Sequence, residues 1–129
     1  MVWVDIVALL AVIQLMVFIS LVGRARGRYN VPAPATTGHP VFERYFRVQM
    51  NTIECLLVLL PGLWLAPKYW PPKYVAAVGA VYLLGRVIYL RSYVRDPSSR
   101  SAGYGLSAGP AAVLVFAALV GAVRELLHG

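Results

Sequence analysis

Residues 41–66 read VFERYFRVQMNTIECLLVLLPGLWLA. As far as Glu54, charged residues recur among apolar ones at helical spacing; from Cys55 to Ala66 no charge interrupts the run. A helix needs about 20 residues, at about 1.5 Å rise each, to cross the roughly 30 Å hydrocarbon core of a bilayer. This segment is long enough, with its amphipathic half lying towards one membrane face. Pro61 is a kink point of a kind that a helix surrounded by neighbours tolerates.

Working outward, three further runs have the same character: Val2–Val22, interrupted inside by Gln14 and Ser20; Tyr74–Val94; and Ala108–Leu127, with Pro110 at a first-turn position. Between the first and second runs, Gly23 to Pro40 carries Arg24, Arg26, Arg28 and three prolines, and its TTGHP ends in a helix-start signal at Pro40. PKYWPPK, residues 67–73, is short enough to join the second and third runs as an antiparallel hairpin, and its Tyr69 and Trp70 suit an interfacial aromatic belt. DPSSRSAGYG, residues 96–105, separates the third run from the fourth. The expected fold is one all-α transmembrane domain, residues 1–129, built as a four-helix bundle.

Composition agrees. Hydrophobic residues make up 60% and charged ones 13% of 129 residues, with a mean hydropathy of +0.69. A soluble domain has about 45–50% and about 25%, and so short a chain cannot hide the excess in its own interior. The net charge of +7 is gathered at the ends of the apolar runs, which speaks for topology and anionic headgroups and against nucleic acid. The N-terminal run has Asp5 as its only charge and no convincing cleavage site, so it reads as a retained helix. Cys55 is alone and can make no intrachain disulfide.

Four spans put both termini on one side. Nine arginines, from Arg24 to Arg47 and from Arg86 to Arg100, flank the first and third connectors, against Lys68, Lys73 and Arg124 on the terminal side. That excess predicts that connectors one and three are cytoplasmic.

Ionisable groups inside a span are costly and usually have a partner or a task. Arg47, Asn51 and Glu54 are spaced four and three apart, so they share one helix face; Arg86, Tyr89 and Tyr93, spaced three and four, share another, which Tyr82 extends. One reading is structural: Glu54 pairs with an arginine, Asn51 bonds across helices, and the tyrosines sit at the interface. The other is a binding site, since Glu54 can neutralise only one of Arg47 and Arg86, leaving positive charge for an anion. Arginine forks suit carboxylates, and Glu54 suits an ammonium group, so a zwitterionic peptide with several carboxylates fits best. His39 and His128 lie far apart and outside any ligand spacing, so no metal site is expected. No serine-hydrolase set or P-loop spacing occurs, and Cys55 reads as a small buried hydrophobe. A small exporter using Glu54 as a proton-coupled carboxylate is a further reading, although an acid in the first span would suit it better.

PATTGHPVFERYFRVQMNTIECLLVLLPGLW, residues 34–64, resembles the membrane-associated eicosanoid and glutathione metabolism (MAPEG) superfamily through FERYFRVQMNTIE, and YLLGRVIYLRSYVRDPSSR, residues 82–100, is similar to its leukotriene C4 synthase and microsomal glutathione transferase 2/3 branch. The resemblance covers nearly the whole chain. It implies a homotrimer with glutathione bound between subunits near the cytoplasmic face, and a glutathione transferase, with possible peroxidase activity, acting on hydrophobic electrophiles or lipid hydroperoxides from the bilayer. Carried over by position, Arg26, Arg47, Asn51, Glu54, Arg86, Tyr89 and Tyr93 contact glutathione, and Arg100 holds its sulfur as a thiolate. Glutathione is then the cosubstrate, with no metal. The superfamily also contains a non-catalytic lipid-binding type, the 5-lipoxygenase-activating protein, against which the retention of Arg100 with Arg47, Asn51 and Glu54 argues. Two positions depart from the branch: Gly27 replaces a second arginine implicated in epoxide handling, which argues against leukotriene C4 synthesis, and Cys55 replaces a tyrosine. The compact chain reads as a bacterial homologue, placed in the inner membrane, with a general detoxifying activity.

Overall fold

The computed structural model describes Met1–Gly129. Its helices are α1 (Val2–Tyr29), α2 (Pro40–Leu65), α3 (Pro72–Arg95) and α4 (Ser101–His128), with single 3-10 turns at Ala66–Lys68 and Pro97–Ser99. All four are long and apolar enough to cross a membrane, so the chain is an all-α membrane bundle. Helix α1 packs on α2 and α3, and α4 packs on the same pair from elsewhere. Val7, Ala11, Leu59, Tyr82, Ala111 and Leu114 lie in the core they share. Outside it, Leu57, Trp64 and Phe116 are 73%, 74% and 64% exposed, an apolar exterior that requires lipid or another subunit.

Two boundaries differ from those read in the sequence, for physical reasons. Helix α1 continues seven residues past Val22, carrying Arg24, Arg26 and Arg28 on helix rather than connector. It stops where Asn30 takes the left-handed conformation at φ 56° and the Asn30 and Val31 amides both close onto the Arg26 carbonyl. Arginines in that last turn also complement the helix dipole. Helix α4 begins at Ser101, seven residues before Ala108, so Pro110 lies inside it. The early turns, SAGYGLS, are weakly apolar, yet they pack closely on α3 at Gly103 and Leu106.

That packing sets the α3–α4 geometry. A Cβ on Gly85 would stand 2.7 Å from the Leu106 carbonyl oxygen, and one on Gly103 would stand 2.5 Å from the Tyr89 backbone nitrogen. Pro110 has no N–H for the Leu106 carbonyl, so α3 approaches at the very point where α4 lacks a hydrogen bond. The start of α2 is equally specified: Pro40 opens it, the His39 Nδ1 accepts from the Val41 amide at 3.1 Å, and the Glu43 carboxylate accepts from the Gly38 amide at 3.1 Å. Arg44 then donates to the Val94 carbonyl at 2.9 Å, tying the start of α2 to the end of α3 at one face of the bundle.

Candidate functional site

At that face, α2, α3 and α4 enclose a cavity of about 810 Å³. Helix α2 contributes Arg47, Asn51 and Glu54, α3 contributes Tyr89 and Tyr93, and the start of α4 contributes its N-cap Arg100 and Tyr104. Helical spacing delivers these groups together: positions 47, 51 and 54 fall on one stripe, and 89 and 93 on another. Deeper in the membrane the wall turns apolar, with Val58, Ala108, Ala111 and Ala112. The volume lies in the range of small-molecule pockets, about 300–1,000 Å³.

Behind the cavity sits Arg86, fully buried. Its Nη1 and Nη2 both donate to Asn51 Oδ1 at 2.9 Å, Nη1 also to Thr52 Oγ1 at 3.2 Å, and Nε to Ser107 Oγ at 3.0 Å. The two hydroxyls donate onward to helix carbonyls, Thr52 to Val48 and Ser107 to Gly103, both at 2.7 Å. The guanidinium also lies over the Tyr89 ring, 4.3 Å from its centroid. Every one of these hydrogen-bond partners is neutral. Arg86 is therefore solvated by dipoles, keeps its full charge, and projects a positive field into the adjoining cavity.

The same network orients Asn51. An arginine can only donate, so the amide oxygen must face it. The Asn51 NH₂ group then remains for the cavity that the residue lines. With Arg47 and Arg100 on the wall and Arg86 behind it, the site holds three guanidiniums against one carboxylate, that of Glu54. The arrangement suits a ligand with more anionic than cationic groups and an apolar portion, or an apolar partner beside it.

Arg100 is placed by the tight turn between α3 and α4. The Asp96 carboxylate accepts from the Ser98 hydroxyl at 2.8 Å and the Ser98 amide at 3.1 Å, and the Ser99 hydroxyl donates to the Ser92 and Asp96 carbonyls. These Ser98 bonds, with lesser help from Arg44 and Arg95, hold the Asp96 carboxyl below its usual range. Arg100 bonds the Pro97 carbonyl at 3.2 Å and stays exposed at the cavity mouth.

Six of the eight site residues expected from the sequence, Arg47, Asn51, Glu54, Tyr89, Tyr93 and Arg100, are brought together here. Arg86 does not line the cavity; it supports Asn51 and Tyr89 from behind, and the ion pair with Glu54 considered for it is replaced by neutral acceptors. Arg26 also lies outside, bonded to the Val31 and Ala35 carbonyls at 3.3 and 2.7 Å and stacked on Phe42. Tyr82 is packed in the core. Sequence reading passed over Thr52, Ser107 and Tyr104. Thr52 carried a usable signal, since it sits beside Asn51 in the polar half of α2, whereas Ser107 and Tyr104 fell in a stretch read as connector. His39 caps α2 and stacks on Tyr29 at 4.1 Å, and no three potential metal ligands gather anywhere.

Comparison with known proteins agrees with this architecture. Residues 4–120 match the MAPEG family. The chain belongs to the MAPEG family. As a MAPEG member with four membrane-crossing helices it is an integral, multi-pass membrane protein. It is 42% identical over 124 residues to an uncharacterised protein of Synechocystis, covering 96% of this chain and 90% of that one. Human microsomal glutathione S-transferase 2 is 36% identical over 121 residues, 94% of this chain and 82% of the relative. Leukotriene C4 synthase of Cavia porcellus is 37% identical over 129 aligned residues, 95% and 86% of the two chains. These MAPEG relatives run along nearly all of this chain, through both polar stripes and the turn that carries Arg100.

Proposed function

We propose that this chain is a membrane-bound glutathione transferase that also reduces hydroperoxides with glutathione. The observation that carries the reading is the cavity lined by Arg47, Asn51, Glu54 and Arg100, with the buried charge of Arg86 behind it. Glutathione has two carboxylates, one ammonium group and a thiol. Arginine forks and the Asn51 NH₂ take the carboxylates, Glu54 takes the ammonium group, and Arg100 faces the sulfur.

The chemistry follows from the charge. A thiol with a pKa of about 8.5 is mostly protonated at neutral pH, while the thiolate is the nucleophile. Lowering that pKa by about two units takes roughly 2.7 kcal/mol of differential interaction, within reach of a charge-assisted hydrogen bond from Arg100 together with the nearby positive charge of Arg47 and Arg86. The thiolate then attacks an electrophile held against Val58 and the α4 alanines. Arg86 serves glutathione indirectly, by orienting Asn51 and Tyr89.

The functional unit in this reading is a homotrimer, in which Arg26 reaches the glutathione site of a neighbouring subunit. The turns after α1 and α3 face the cytoplasm, where glutathione is abundant, and both termini lie on the opposite side of a bacterial inner membrane. Equilibrium dialysis with labelled glutathione, paired with turnover of chlorodinitrobenzene, tests the proposal on purified protein. Saturable binding with conjugation is the expected result. Binding of lipid without glutathione would instead assign the chain a scaffold role.

A further inference from the structure

The cavity has a polar half and an apolar half, and Tyr104 stands where they meet. Arg47, Asn51, Glu54 and Arg100 supply the charges and donors, while Val58, Ala108, Ala111 and Ala112 supply an uncharged wall. A charged peptide thiol and an apolar acceptor divide along the same seam, so their reacting atoms meet there. On α4 the seam runs between Arg100 and Ala108. Tyr104 lies midway, one turn beyond Arg100 on the same helix face, and lines the cavity.

Its ring is set in place from behind. Tyr104 packs against Tyr89 with centroids 6.5 Å apart, and Tyr89, stacked on Tyr93 at 5.5 Å, lies under the Arg86 guanidinium. Gly103, the neighbour of Tyr104, is the point where α4 touches the Tyr89 backbone. Tyr104 is nevertheless 47% exposed, so its phenol is accessible from the cavity.

We infer that Tyr104 is a catalytic acid for peroxide reduction in this cavity, giving its phenolic proton to the alkoxide that leaves an apolar hydroperoxide. The inference rests on the glutathione reading above. The thiolate attacks the terminal peroxide oxygen; an S–O bond forms, the O–O bond breaks, and sulfur is oxidised while the peroxide is reduced. The alkoxide takes the Tyr104 proton and departs as the alcohol, and the tyrosinate recovers a proton from solvent. A second glutathione thiolate displaces hydroxide from the sulfenic acid, giving the disulfide; overall, two thiols and one hydroperoxide yield one disulfide, one alcohol and one water. A phenol is a far stronger acid than water, the other proton source within reach. An aryl halide, by contrast, releases halide and needs no proton.

The test is Tyr104→Phe in the full-length protein, because phenylalanine keeps the ring that packs on Tyr89 and removes only the hydroxyl. Rates are measured with cumene hydroperoxide and with chlorodinitrobenzene across a pH series. The expected result is a fall in peroxide kcat on the order of 10²-fold, with the ratio of peroxide to aryl-halide kcat falling by nearly as much. Equal losses with both acceptors assign Tyr104 a packing role and overturn the inference, as does an unchanged peroxide rate. Conjugation without peroxide reduction in the unsubstituted protein overturns it alone; absence of glutathione binding overturns the glutathione reading and the inference together.

Discussion

Arg86 grips the amide oxygen of Asn51 with both terminal nitrogens, each at 2.9 Å. One contact thus does two things: it neutralises part of the cost of a buried guanidinium and turns the Asn51 NH₂ group towards the cavity. The two roles separate by substitution. Asn51→Ala strips the buried charge of its principal acceptor, a loss of about 3 kcal/mol or more, and removes the donor for the ligand. Asn51→Asp restores an acceptor, indeed a counter-ion, but offers a carboxylate where an amide NH₂ stood. Unfolding in mixed micelles is expected to show Asn51→Asp much closer to wild type than Asn51→Ala, while glutathione titration shows both weakened. Equal stability of the two variants would contradict this account of Arg86.

Glu54 is the one carboxylate on a wall otherwise furnished with cations and neutral donors. A hydrogen bond to a charged group contributes about 1.5–3 kcal/mol, so Glu54→Gln should weaken glutathione binding by about ten- to a hundredfold. A glutathione analogue lacking the amino group should bind the variant and the wild type alike. Calorimetric titration of both ligands into both proteins measures the difference. A matching loss for the analogue would mean that Glu54 acts on something other than the ammonium group.

The turn that presents Arg100 has a pH dependence of definite sign. Asp96 has its carboxyl held below the usual range by Ser98, so its contribution is present above the unfolded-state pKa, about 3.9, and is lost as pH falls through the lower folded value. Neutral and mildly acidic conditions leave the turn intact. Hydrogen exchange at the Ser98 amide should accelerate, relative to its intrinsic rate, only in strong acid, and Asp96→Asn should show weaker protection at neutral pH. Protection of that amide unaffected by Asp96→Asn would remove the carboxylate from the account.

The four spans and the two polar stripes were legible because each is written in a period: length and hydropathy for the spans, three- and four-residue spacing for Arg47–Asn51–Glu54 and for Arg86–Tyr89–Tyr93. What spacing cannot carry is depth. Arg47 and Arg86 look alike in sequence, yet one lines the cavity and the other is buried, because Thr52 and Ser107 come from two further helices to solvate it. The start of α4 was hidden for a related reason. SAGYGLS has little hydropathy, though its Gly103 is where α4 touches the Tyr89 backbone of α3, and with it Tyr104 was read as connector. The arginines after Val22 were read the same way, although nothing before Asn30 breaks the helix.

The central claim is that Arg100 holds glutathione as a thiolate at this site. The most direct measurement is the ultraviolet difference spectrum of the purified protein with glutathione near neutral pH, taken beside Arg100→Ala. The account predicts thiolate absorbance in the unsubstituted protein and its loss in the variant while glutathione still binds. Thiolate of equal intensity in both proteins would contradict it.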